Sequence, residues 1–219
     1  MPGLEVSTVL FDLDGTLADT APDLAFALNT LLEENGKAPL SMARIRPAVS
    51  LGGVAMLKLA FTQDEGSIEF EALRQRFLQI YRDNIARESK LFDGMEDLLS
   101  ELDDRGLAWG IVTNKPGWLT DPLLEELEID KRTDCIVSGD TVAHSKPHPA
   151  PMLHACELLS CQPRQTLYLG DAQRDVDAGK AANMITLVAK YGYIEDGVSI
   201  RDWGADGEID TPTEVLDWL

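Results

Sequence analysis

The sequence predicts an α/β fold: a parallel sheet with helices on both faces, and an all-helical block inserted after the first strand. Three observations carry this reading. Short apolar, β-prone runs such as Val9-Leu10-Phe11 stop abruptly at turn residues, as strands buried on both faces do. From Met95 onward such runs alternate with helical patterns, the arrangement that builds parallel sheets. Between Ala18 and about Ser89 no convincing strand occurs.

The first strand ends in Asp12-Leu13-Asp14-Gly15-Thr16. Side chains in extended chain alternate, so Asp12 and Asp14 are expected on one side. Two carboxylates that close repel unless positive charge sits beside them, and a hard divalent cation such as magnesium is the simplest source. Asp-Gly is also a common hairpin loop. Here, however, Thr16 to Thr20 leads into a helix rather than a pairing strand.

Thr20 or a neighbour caps that helix, with Pro22 in its first turn. Leu24, Leu28, Leu31 and Leu32 form its apolar face and Gly36 stops it. Residues 41–49 read as a short helix interrupted by Pro47, and 54–61 as another. Phe70, Leu73, Phe77, Ile80 and Tyr81 mark one face of a long helix reaching about Arg87.

A helix over 95–104 then ends at Gly106. Residues 107–112 form the second strand, with Thr113-Asn114-Lys115-Pro116 as its turn. A helix to about Leu127 follows, disturbed early by Pro122. Cys135-Ile136-Val137 is a short third strand, and a helix opens at Pro149 or Ala150 and ends near Ser160. Thr166-Leu167-Tyr168-Leu169 delivers Gly170-Asp171; after a helix over 175–182, Ile185 to Val188 is the fifth strand. In such sheets ligands bind beyond the carboxyl ends of the strands. Asp12, Asp14, Thr113, Asn114, Lys146 and Asp171 all fall there.

With 38 acidic and 19 basic residues the net charge is −19, so nucleic acid and anionic membranes are not partners by bulk electrostatics. An anionic substrate would need a local reversal of charge by a metal and a few Lys or Arg. Cys135, Cys156 and Cys161 form no disulfide framework, and reduced thiols suit a cytoplasmic protein. Neither a membrane span nor a signal peptide is expected. His144, His148 and His154 lack partners spaced for zinc.

The stretch Phe11-Asp12-Leu13-Asp14-Gly15-Thr16-Leu17 resembles the first motif of the haloacid dehalogenase-like hydrolases. Thr113 matches the second motif, Lys146 in Ser145-Lys146-Pro147 the third, and Gly170-Asp171-Ala172-Gln173-Arg174-Asp175 the fourth. The resemblance implies a Rossmann-like core over residues 1–17 and 90–219. Residues 18–89 would form a small helical cap, closing through hinges near 17–19 and 88–92. It implies Asp12 as nucleophile, Asp14 as acid and base, and phosphoryl binding by Thr113, Asn114 and Lys146. Mg2+ would be bound by Asp12, the Asp14 carbonyl and Asp171, with Asp175 orienting water or Lys146.

Asp14 narrows the reaction, because relatives that hydrolyse haloacids or phosphonates, and the ion-pumping ATPases, carry other groups at this position. A phosphomonoester hydrolase is expected. A sugar phosphomutase shares these residues, and a non-catalytic interaction module would normally have lost Asp12 or Asp14. The cap resembles the phosphoglycolate phosphatase branch. Tyr191-Gly192-Tyr193-Ile194 and Trp203-Gly204-Ala205-Asp206 resemble a subgroup acting on N-acetylmuramic acid 6-phosphate in cell-wall sugar recycling. Substrate choice would rest on Arg44, Arg46, Ser50, Gly52 and Gly53, with Lys115 and Arg174 as further candidates for the anionic part. The expected partner is a small phosphate ester, and the expected assembly a monomer or homodimer.

Overall fold

Every residue of β1 (Thr8–Phe11) is buried, as its unbroken apolar run requires. The computed structural model describes residues 6–219. Residues 1–5, which the expected core segment 1–17 includes and where no leader is expected, lie outside the described residues.

After β1 come the two-residue strand β2 (Ala18–Asp19) and four helices: α1 (Ala21–Glu34), α2 (Met42–Val49), α3 (Gly53–Lys58) and α4 (Ile68–Asp83). The chain re-enters through β3 (Lys90–Leu91) and continues with α5 (Met95–Asp104), β4 (Ala108–Val112), α6 (Gly117–Glu126), β5 (Ile136–Val137) and α7 (Ala150–Leu159). Then follow β6 (Thr166–Gly170), α8 (Gln173–Ala181), β7 (Ile185–Ala189) and β8 (Gly207–Ile209).

The main sheet has the order β5-β4-β1-β6-β7-β8, with every pair parallel. Alternation along β1 decides what lies on each face. Val9 and Phe11 pack with Met95, Leu98, Leu99, Leu102, Leu123 and Leu124 on one side. Leu10 packs with Met152, Ala155, Ala178 and Ala182 on the other. Helices therefore cover both faces. The block α1–α4 has a separate core, in which Leu24, Leu28, Leu31 and Leu32 meet Ile45, Phe70, Phe77 and Tyr81.

Several details differ from the sequence reading. β8 adds a sixth strand, held at the edge by pairing to β7. α3 stops at Lys58, and α4 stops at Asp83 with Asn84 as its cap. Pro47 lies inside α2 and Pro122 inside α6. Pro122 has no N–H to give to the Trp118 carbonyl, and that carbonyl instead accepts from the Arg82 guanidinium of α4 at 3.2 Å. β2 and β3 form an antiparallel ladder, Ala18 opposite Leu91 and Asp19 opposite Lys90, where both expected hinges fall.

Candidate active site

The end of β1 is fastened to its neighbour: the Asp12 N–H donates to the Leu169 carbonyl at 2.9 Å. Asp12 is buried, and its Oδ1 accepts from the Leu13 N–H at 2.7 Å and pairs with Lys146 Nζ at 2.8 Å. The same ammonium reaches Asp175 Oδ1, the Tyr168 hydroxyl and the Val112 carbonyl, each at 2.8 Å. Asn114 sets Lys146 in place through its backbone: the side-chain amide donates to the Lys146 carbonyl at 2.9 Å and accepts from the Lys146 N–H at 3.0 Å. The lysine of the loop after β5 is thus part of the buried site rather than a solvated surface residue.

Asp14 has its own cation. Lys115 Nζ lies 2.7 Å from Asp14 Oδ1, and the Thr20 hydroxyl donates to that oxygen at 2.6 Å. Sequence reasoning looks to one divalent cation to hold Asp12 and Asp14 together; the structure gives each carboxylate a separate lysine. Burial works against the charge on Lys115, but Asp14 and Tyr81 outweigh it, so its pKa lies above the ordinary lysine value. Thr113 is buried beside them, its hydroxyl accepting from the Lys115 N–H at 3.1 Å.

Asp12, Asp171 and Asp175 each bring a carboxylate oxygen to within 4.8 Å of the others. Asp175 is fully engaged: Oδ1 meets Lys146, and Oδ2 accepts from the Ala172 N–H at 3.0 Å. Asp171 is not. Its Oδ2 accepts from the Ser50 hydroxyl at 2.5 Å and the Tyr193 N–H at 2.9 Å, while Oδ1 is buried without any hydrogen-bond partner. An orphaned buried carboxylate oxygen is costly, and hard oxygen donors with room for water suit magnesium. The residues fit such an ion. Burial, then the charges of Asp12 and Asp175, push the Asp171 pKa up to about 7. Burial also raises that of Asp12, against the pull of Lys146. No histidine belongs to this cluster.

Glycine makes the crowding around Asp171 possible. A Cβ on Gly15 (φ +87°) would lie 2.2 Å from Asp171 Oδ2, and one on Gly192 would lie 2.4 Å from Asp171 Cβ.

The helical block lines the site on the side facing the sheet. A cavity of about 190 Å3 is bounded by Asp12, Asp14, Thr113, Asn114, Lys115 and Arg174 on the sheet side. Gly52, Gly53, Leu24, Met56, Phe77 and Tyr81 bound it from the block. Of the residues expected to choose the substrate, Gly52 and Gly53 line this space. Ser50 is spent on Asp171. Arg46 pairs with Asp19 at 3.0 Å and packs 4.8 Å over the Tyr193 ring, and Arg44 donates to the Leu59 carbonyl; neither lines the cavity.

Tyr193 has a part that its sequence context does not reveal. Thr20 makes no side-chain cap on α1; the Tyr193 hydroxyl accepts from the Thr20 N–H at 2.7 Å and the Ala21 N–H at 3.0 Å. It also donates to Asp19 Oδ1 at 2.8 Å. The second tyrosine of Tyr191-Gly192-Tyr193 therefore joins the Asp171 backbone contact to the start of α1. Its only sequence signal is an aromatic-glycine-aromatic loop soon after the last long strand.

Comparison with known proteins shows the family and the fold. The model of the haloacid dehalogenase-like hydrolase family matches residues 9–189. An N-acetylmuramic acid 6-phosphate phosphatase of Pseudomonas putida is 39% identical over 97% of this chain and 95% of its own. A phosphoglycolate phosphatase of Xanthomonas campestris pv. campestris is 40% identical over 94% of this chain and 93% of its own. A crystal structure of a predicted phosphoglycolate phosphatase from Haemophilus somnus superimposes with a TM-score of 0.86 at 27% identity, covering 98% and 99% of the two chains.

Proposed function

The chain belongs to the haloacid dehalogenase-like hydrolase family, and from that premise we propose that it hydrolyses a small, carboxylate-bearing phosphate monoester through an aspartyl-phosphate on Asp12. The observation that carries this reading is the pairing of Asp12 with Lys146 and of Asp14 with Lys115 around one cavity. Residues 18–89 act as the cap over residues 1–17 and 90–219.

Asp12 attacks phosphorus, and the bond from phosphorus to the ester oxygen breaks as Asp14 gives that oxygen a proton. A water then attacks the aspartyl-phosphate, Asp14 takes its proton, and inorganic phosphate leaves with Asp12 restored. Lys146 holds Asp12 in line, while Thr113 and the Asn114 N–H receive phosphoryl oxygens. Asp175 orients Lys146. Mg2+ held by Asp12, Asp171 and the Asp14 carbonyl would neutralise charge on the transferring group. The hydrophobic rim from α1, α3 and α4 keeps bulk water from the intermediate.

The test is phosphate release from a panel of esters with magnesium, in wild type and Asp12→Asn. The panel contains 2-phosphoglycolate, N-acetylmuramic acid 6-phosphate, hexose 1- and 6-phosphates and nucleotides. One strong preference that disappears in the variant is the expected result. Isomerisation of a sugar phosphate without release would instead identify a mutase. No turnover of any ester by folded, metal-binding protein would overturn the enzymatic reading.

A further inference from the structure

Two cations, Arg174 and Lys115, line the cavity. Arg174 lies among the charges of Asp175, Asp12 and Asp171, on the side of the nucleophile in the proposed mechanism. Lys115 is on the leaving-group side, 2.7 Å from Asp14 and 4.7 Å from the centre of the Tyr81 ring. Tyr81 lines the same cavity, and its hydroxyl is buried near the Lys115 ammonium without a well-formed hydrogen bond. A buried hydroxyl so placed calls for an explanation, and a ligand group is one.

Resting on the phosphomonoesterase reading, we propose that Lys115 and Tyr81 form a subsite for a carboxylate on the carbon that bears the ester oxygen. The substrate class is then the phosphate ester of a small 2-hydroxy acid. Asp14 Oδ1 is occupied by Lys115 and Thr20, which leaves Oδ2 for proton transfer to the ester oxygen. Two hydrogen bonds of about 2.8 Å joined across one carboxyl group put the Lys115 ammonium roughly 5–7 Å from that oxygen. A carboxylate on the adjacent carbon, bonded to the ammonium, spans about 6 Å from the same oxygen. In N-acetylmuramic acid 6-phosphate a sugar ring separates the carboxylate from the phosphate, and the span is several ångströms too long. The cavity, about 190 Å3, falls below the roughly 300–1,000 Å3 of drug-sized sites and suits the smaller ester. Leu24, Val49, Met56, Phe77 and Leu78 surround it, so the ion pair forms in a medium of low dielectric.

The experiment compares kcat/KM for 2-phosphoglycolate, ethyl phosphate and N-acetylmuramic acid 6-phosphate in wild type, Lys115→Met and Tyr81→Phe. Wild type is expected to prefer 2-phosphoglycolate over ethyl phosphate by about 100-fold or more, mainly through KM. Lys115→Met brings that ratio to within about threefold of one, and Tyr81→Phe lowers it about tenfold. An unchanged ratio in folded Lys115→Met, or a wild-type preference for the muramic ester, overturns the subsite while leaving the phosphatase reading in place. Calorimetric binding to Asp12→Asn reads the subsite without turnover: adding Lys115→Met must weaken 2-phosphoglycolate at least about tenfold, and an equal Kd overturns it.

Discussion

Ser50 Oγ donates a 2.5 Å hydrogen bond to Asp171 Oδ2, so a residue at the end of α2 rests on a carboxylate at the end of β6. The helical block is held to the sheet at the point where the metal would bind. Ser50→Ala is expected to destabilise the metal-free protein by about 1–3 kcal/mol. That lowers Tm by several degrees for a chain of this length. Calorimetry of the two proteins checks it, and equal melting would deny that this bond holds the block.

Asp12 and Lys146 separate chemistry from stability. Asp12→Asn keeps the shape of the side chain, and Lys146 retains Asp175 as its partner. The variant should fold as wild type does and lose activity by about 10^4-fold or more. Lys146→Met leaves Asp12 and Asp175 buried without their cation and is expected to cost about 3–5 kcal/mol. Urea midpoints measured beside phosphate release separate the two effects.

The pKa of about 7 at Asp171 fixes the direction of a pH effect. Between the ordinary 3.8 and about 7, the folded metal-free protein keeps a proton on Asp171 that the unfolded chain has lost. The folded state binds more protons, so this contribution is fully present below 3.8 and is lost as pH rises through about 7. Mg2+ must displace the same proton. Its affinity should therefore fall as pH drops from 8 to 6, with proton release measurable by titration calorimetry in buffers of different ionisation enthalpy.

Tyr193→Phe removes the acceptor of the Thr20 N–H and the nearer of the two acceptors of the Ala21 N–H, leaving the ring beside Arg46 and Phe92. The expected loss is about 1–3 kcal/mol, concentrated at the start of α1. Hydrogen exchange should show faster exchange at Thr20 and Ala21 than at the middle of α1. Uniform exchange along the helix would count against this role.

The alternation of strands and helices, and the gathering of Asp12, Asp14, Thr113, Lys146 and Asp171 at the strand ends, were legible because each strand is a local apolar run and each turn follows it directly. β2 and β3 were not, because two residues carry no periodicity and exist as strands only by meeting across 70 residues of intervening chain. β8 is three residues long and is defined by its neighbour β7. The Lys115–Asp14 pair and the cap that Tyr193 places on α1 join residues about 100 and 173 apart in sequence. Spacing along one chain does not encode contacts of that kind. Arg46 illustrates the converse: its charge made it a candidate for a substrate anion, and its neighbour in space is Asp19.

The ladder of β2 and β3 has a further consequence. Facing residues of an antiparallel pair lie about 5 Å apart, so the chain leaves the sheet for the helical block and returns at nearly the same point. A two-residue turn joining Asp19 to Lys90 would bridge that gap and leave the path of the main sheet unaltered. The block is in this sense a cassette plugged into a single socket.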